Sequence, residues 1–132
     1  MQGIHVAVGV ILDDLGQVLL SFRHPDSHQG GLWEFPGGKL EAGETVQTAL
    51  GRELAEELGI QVLVTEPLIT VKHDYSDKRV LLDVWLVHSF SGEAESREQQ
   101  PVRWVPIAEL ANYRFPAANR PIVQAIKQWL DH

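Results

Sequence analysis

Residues 45–59 read Thr45-Val46-Gln47-Thr48-Ala49-Leu50-Gly51-Arg52-Glu53-Leu54-Ala55-Glu56-Glu57-Leu58-Gly59. Val46, Ala49, Leu50, Leu54 and Leu58 recur at the spacing of one helix face, which predicts a helix over residues 45–58. Thr45 is placed to cap its first turn, although no Glu stands three residues on to complete a capping box. Gly59 suits the left-handed residue that ends a helix. Within this helix lies an anomaly, Arg52-Glu53-Leu54-Ala55-Glu56-Glu57. At ~100° per residue the three glutamates fall within about a quarter to a third of the circumference. Glu53 and Glu57 share the arc centred near Leu50, which is the apolar one. Like charges at i,i+3 and i,i+4 cost ~0.2–0.5 kcal/mol each when exposed, and more when half-buried. A run of charge is ordinarily a solvated face. The overlap with the apolar stripe argues instead for carboxylates gathered around a cation, and an all-oxygen donor set suits Mg²⁺, Mn²⁺ or Ca²⁺.

Outward from the helix, the pattern is layered. Residues 4–12 and 18–23 read as two strands joined by the turn chemistry of Asp13-Asp14-Leu15-Gly16. Residues 32–36 read as a short strand stopped by Pro36, and residues 37–44, with three glycines, as a turn-rich loop. Residues 68–71 and 80–87 read as strands, 89–100 as a polar loop, 101–105 as a further strand and 106–110 as one helical turn. Residues 121–130 read as a closing helix with Pro121 at its first turn and Ile122, Val123, Ile126, Trp129 and Leu130 on one face. Strands interleaved with few helices give an α/β or α+β layered domain.

Length and charge narrow the function. A chain of 132 residues with 44% hydrophobic and 22% charged residues is the size and composition of one globular domain, taken as residues 1–132. It contains no cysteine, which excludes disulfides, zinc–thiolate sites and thiol nucleophiles. A formal net charge of −7 leaves no basic footprint, so no stable nucleic-acid partner is expected. Any phosphate ligand would need a bridging cation or a local basic pocket. No apolar run reaches the length of a membrane span, and the first residues lack signal-peptide character, so a cytoplasmic location without membrane contact is expected. Six scattered histidines lack ligand spacing, and Trp33, Trp85, Trp104 and Trp129 are expected in the core.

From Gly38 the chain runs five residues to Glu44, seven more to Arg52-Glu53-Leu54, then Ala55, Glu56-Glu57, Leu58 and Gly59-Ile60. This resembles the Nudix box, G-x5-E-x7-REU-x-EE-x-G-U with U apolar, at every position. Seven fixed identities agree by chance on the order of 10⁻⁸ to 10⁻⁹ per start at ordinary residue usage. The resemblance implies an α/β fold, the Nudix α/β/α sandwich with a mixed β-sheet. It also implies divalent-metal-dependent hydrolysis of a nucleoside diphosphate linked to another group, with Mg²⁺ the expected cofactor and Mn²⁺ the alternative. On the matching positions, Glu53, Glu56 and Glu57 are implied metal ligands and the Gly37 carbonyl a further one. Arg52 is implied to orient a glutamate, Glu44 to brace loop against helix, and Glu53 to be the first candidate for the general base. Gly38 and Gly59 match positions where a Cβ would interfere.

Outside the box, Ala7-Val8-Gly9-Val10, Glu34-Phe35-Pro36-Gly37-Gly38-Lys39 and Phe115-Pro116-Ala117-Ala118-Asn119 resemble the MutT branch of that family, over nearly the whole chain. That resemblance implies a nucleoside triphosphate pyrophosphohydrolase acting on 8-oxo-dGTP in the nucleotide pool. Asn119 is implied to read the purine, Arg23, His28 and Phe35 to line the substrate pocket, and Glu98 to join the metal site. Read without it, Asn119 before Arg120-Pro121 is a helix cap, Phe35 is core and Glu98 is a solvated acid. The loop from His73 to Arg79 departs from the MutT pattern, which leaves a CTP or modified-pyrimidine hydrolase as the alternative. A non-catalytic nucleotide-binding domain is the alternative of another class. The partner implied is a small-molecule nucleotide, the assembly a monomer or weak dimer.

Overall fold

The computed structural model describes residues 2–23 and 31–131. Strands β1 (Gln2–Ile11), β2 (Gln17–Phe22), β3 (Trp33–Glu34) and β4 (Gly37–Lys39) precede helix α1 (Val46–Leu58). A long hairpin of β5 (Gln61–Asp74) and β6 (Lys78–Ser91) follows, then β7 (Val102–Pro106), 3₁₀ turns at Ile107–Asn112 and Ala117–Asn119, and helix α2 (Arg120–Leu130). One sheet has the order β4-β1-β6-β5 and is mixed, because β1 and β6 run parallel while their outer neighbours are antiparallel. A second, antiparallel sheet has the order β3-β2-β7.

The alternation of β1 explains the layering. Ala7 and Ile11 turn to one face and pack with Leu19, Ala49, Leu50, Leu54 and Leu58 under α1. Val8 and Val10 turn to the other and pack with Val84, Leu86, Ile122 and Ile126 under α2. The sheet is thus sandwiched between helices, the expected α/β/α arrangement. Gly9 sets how closely α1 approaches: a Cβ there would lie 3.2 Å from the δ-methyls of both Leu50 and Leu54. Helix α1 starts as expected, with the Thr48 N–H donating to Thr45 Oγ1 at 3.1 Å. It ends at Gly59, φ 72°, whose N–H donates to the Ala55 carbonyl.

Several boundaries differ from the sequence expectation. Residues 37–39, read as loop, form β4, because Gly37 and Gly38 lie against the β1 backbone so tightly that a Cβ on Gly37 would run into the Ala7 carbonyl. The two short strands predicted at 68–71 and 80–87 are the middle of 14-residue strands. Pro67, polar residues and register shifts between Val62 and Ile69 hide the outer part of β5 from a pattern search. The turn at 106–110 extends over Ile107–Asn112. Leu130, placed on the apolar face of α2, is 56% exposed, whereas Ile122 and Ile126 are buried. Among the described residues no helix is long and apolar enough to cross a membrane.

Leu54 is fully buried between α1 and the sheet. Leu54→Ala should lower the unfolding free energy by ~2–5 kcal/mol, measured by urea denaturation; a loss below ~1 kcal/mol would show that the helix does not depend on this contact.

Candidate active site

Arg52 projects from α1 back over the loop between β4 and the helix. Its Nε and Nη2 donate to the two oxygens of Glu44 at 2.8 and 2.9 Å, its Nη1 to Glu53 Oε1 at 2.9 Å, and Nη2 also to the Lys39 carbonyl at 3.1 Å. The fork fits a carboxylate in two-point fashion. Glu44 is therefore the brace that the sequence suggested, and its Oε1 also accepts from the Glu41 N–H at 2.7 Å. The Arg52 hydrogen bonds, then that backbone N–H, hold the Glu44 carboxyl down at about 2. The same contacts, Glu44 first and then Glu53, raise the Arg52 pKa further above its already high range.

Glu57 has the opposite environment. Burial first, then the charges of Glu53, Glu98 and Glu34, and lastly a hydrogen bond shared with Glu53, push its carboxyl up to about 8. Its Oε2 is buried with no hydrogen-bond partner. A buried acceptor left unmet is costly. Glu57 shares one recess with Ser21, Phe22, Arg23, Glu34, Glu98 and Gln100. Glu53 stands over Gly38, where any Cβ would overlap its carboxylate. Glu56 departs from the expected trio: it is 54% exposed and inclines toward Arg52 Nη1 at 3.6 Å. Among the described residues, accordingly, no three acidic or imidazole side chains already converge as a finished cation cage. The donor set nevertheless fits a hard divalent cation. It is all oxygen, it holds an orphaned buried carboxylate oxygen, and glycine backbone leaves room beside Glu53.

Beside this recess opens a cleft of about 260 Å³, lined on one side by Ile4, Val6, Val8, Val80 and Leu82. Arg23, Glu34, Phe35, Gly37, Gly38, Lys39, Tyr75, Lys78 and Asn119 are among the rest of its lining. Arg23 and Glu34 therefore belong to both spaces. They bond to each other, Nη1 to Oε2, at 2.6 Å. Burial pushes the Glu34 carboxyl above its ordinary range against the opposing hydrogen bond and charge of Arg23. Phe35 is 4% exposed and stacks on Phe115 at 5.3 Å, so it is core and cleft wall together. Asn119 occupies the N-cap position of α2 but makes no side-chain capping bond, and it lines the cleft. Lys39 and Lys78 add positive charge in a protein of net charge −7, the local basic pocket that an acidic phosphate-binder requires.

Of the residues singled out from sequence, Arg23, Phe35, Gly37 and Asn119 meet in the cleft, Glu57 and Glu98 in the recess, and Arg52 and Glu53 between loop and helix. His28 lies outside the described residues. Sequence alone gives Glu34 no role. Its signal was a lone carboxylate inside the apolar run Leu32-Trp33-Glu34-Phe35-Pro36. None of the four tryptophans lines the cleft or the recess.

Residues 7–125 match the Nudix domain family. The chain is 34% identical over 128 residues to an 8-oxo-dGTP diphosphatase of Escherichia coli, covering 97% of this chain and 99% of that one. It is 38% identical over 125 residues to a CTP pyrophosphohydrolase of the same organism, covering 95% and 90%. A solved MutT structure, from work on the Aliivibrio salmonicida and Vibrio cholerae proteins, superposes with a TM-score of 0.84 at 43% identity, covering 96% of this chain and 99% of that one.

The Arg52–Glu44 brace makes a pH prediction. A carboxyl with its folded pKa lowered stabilises the fold above its unfolded value near 4.5 and loses that contribution as pH falls toward about 2. Carboxyl-carbon NMR should find Glu44 titrating near that lower value, and Arg52→Ala should raise it toward the ordinary range, with the Glu41 N–H still holding it somewhat below. An ordinary titration in the unsubstituted protein would refute the brace.

Proposed function

The chain belongs to the Nudix family, and on that footing we propose that it is a Mg²⁺-dependent nucleoside triphosphate pyrophosphohydrolase of MutT type. Its favoured substrate in this reading is 8-oxo-dGTP, converted to 8-oxo-dGMP and pyrophosphate, so that oxidised guanine is removed from the cytoplasmic nucleotide pool before polymerisation. Nudix hydrolases use divalent metal ions. The observation that carries the reading is adjacency: a cleft of nucleobase size bounded by Asn119 shares Arg23 and Glu34 with the carboxylate recess of Glu57 and Glu98. A nucleotide with its base against Asn119 would direct its polyphosphate toward the acids.

Glu53, Glu57, Glu98 and the Gly37 carbonyl are the groups that would hold the cation, and Glu56 would join them only by swinging its exposed side chain away from Arg52. When bound, a divalent cation screens the polyphosphate from these carboxylates and stabilises charge gathering on the phosphorus oxygens. The protein's own groups do the rest. Arg52 holds one oxygen of Glu53 at 2.9 Å and so fixes the carboxylate that takes the proton of the attacking water. The water oxygen bonds to the β-phosphorus. The bridging oxygen departs with the α-phosphorus as nucleoside monophosphate, leaving pyrophosphate. Arg23, in the cleft, contacts the nucleotide, and Phe35 closes the apolar wall.

Base choice follows from hydrogen-bond polarity. Guanine N7 accepts, whereas 8-oxoguanine carries N7–H and donates. The Asn119 carboxamide can accept from N7–H and donate to O6 together, but against guanine its oxygen would face a lone pair. A paired amide–base contact discriminates by ~1–3 kcal/mol, roughly 5- to 150-fold. A second reading, a CTP pyrophosphohydrolase, is supported by the 38% identity to such an enzyme.

Three outcomes test this reading. Efficiency with Mg²⁺ should be highest on 8-oxo-dGTP, and comparable efficiency on dGTP and CTP would defeat the base assignment. Asn119→Ala should erase roughly 5- to 150-fold of the preference over dGTP; no change would favour CTP. In metal-free protein, Mg²⁺ or Mn²⁺ should raise the melting temperature, because a ligand binding only the folded state stabilises it. Glu57→Gln should abolish that rise, and an undiminished rise would remove Glu57 from the cation site.

A further inference from the structure

Between β6 and β7 the chain passes through residues 92–101 without a strand partner, yet this stretch brings Glu98 into the recess that holds Glu57. The side chains of residues 95–99 are exposed and that of Gln100 is half-buried, so packing does little to fix the loop. Hydrogen bonds at the end of α1 do it instead. The Glu95 N–H donates to the Leu58 carbonyl at 3.0 Å and the Arg97 N–H to the Glu57 carbonyl at 2.9 Å, meeting acceptors that a helix end leaves unpaired. Gln99 sits at φ 64°, a left-handed conformation that a non-glycine residue adopts only when its surroundings impose it.

Next to Gln99, the Gln100 side chain bonds back across the turn. Its Oε1 accepts from the Glu98 N–H at 3.0 Å and from the Ser96 hydroxyl at 2.8 Å. Its Nε2 donates to the Glu57 carbonyl at 3.4 Å. One carboxamide thus joins the backbone of Glu98 to the backbone of Glu57 and folds the loop around itself. We propose that Gln100 is a positioning residue, whose carboxamide sets where the Glu98 carboxylate stands relative to that of Glu57. The proposal rests on the reading of Glu57 and Glu98 as parts of one cation-holding site.

Gln100→Leu keeps side-chain bulk and removes all three hydrogen bonds. In the metal-free full chain, the Glu98 amide should then exchange with solvent faster, by NMR, while the melting temperature moves little. Mn²⁺ affinity, with Mn²⁺ alone as probe, should weaken roughly 10-fold or more, as for the loss of a group that orients a ligand. With nucleotide, kcat should fall with KM nearly unchanged. In a Glu98→Gln background, Gln100→Leu should alter Mn²⁺ affinity by less than about twofold, because both changes act through one carboxylate. An unchanged Glu98 exchange rate, or a full effect persisting in the Glu98→Gln background, would overturn the proposal. These exchange and Mn²⁺ measurements decide it whether or not the protein turns over a nucleotide, so failure of the functional reading would be seen separately, in the kinetics of the unsubstituted enzyme.

Discussion

Arg52 has the carboxylates of Glu41, Glu44, Glu53 and Glu56 at 2.8 to 3.7 Å from its guanidinium. Without that charge the loop after β4 and the outer side of α1 would repel each other. With it, loop, helix and the Lys39 carbonyl are drawn to one planar group. A lysine could supply the charge but not the fork, since two parallel donors to Glu44 and a third to Glu53 need the fixed geometry of guanidinium. Because Arg52 occupies one oxygen of Glu53, it also determines which way that carboxylate faces.

The two ends of the acidic cluster are therefore set against each other. Glu44 and Glu53 are each paired with Arg52. Glu57, one turn beyond Glu53, is buried among like charges with an oxygen left without a partner. Such a group is tolerable protonated or paired with a cation, and its surroundings are oxygen donors throughout. The cleft beside it is walled separately, by apolar residues of β1 and β6 and by Asn119 at the edge of α2. The acidic recess and the apolar cleft are thus neighbouring spaces that share the Arg23–Glu34 pair.

Much of this was legible in the chain because α1 obeys local rules. Its cap, its stripe and its terminal glycine are encoded within fifteen residues, and the carboxylate pattern is encoded at the same spacing. What was hidden depends on distant parts of the chain. Strand β4 looks like a loop because its glycines serve close backbone approach to β1. The outer part of β5 is masked by Pro67 and the irregular register. Glu56 shares a helix with Glu57, and only the position of Arg52 shows that it leans outward. Glu34 becomes prominent only when β3 pairs with β2 and places it beside Arg23. Asn119 stands at the backbone cap position of α2, yet its side chain makes no capping bond and the residue lines the cleft.

The pairing of β1 with β6 joins Gln2 to Lys78 at one end and Ile11 to Val87 at the other, and Ile4, Val6, Val80 and Leu82 from these strands wall the nucleobase-sized cleft. Ribosomal synthesis delivers the acidic helix well before it delivers this second strand. A nascent chain of about half length therefore owns its carboxylates but not the wall beside them, and it carries a valine-rich strand with one edge bare. Contacts between such distant segments slow folding, and bare strand edges invite mispairing with other chains. Until Lys78 and the rest of β6 emerge, the edge of β1 that they cover in the finished fold has no partner.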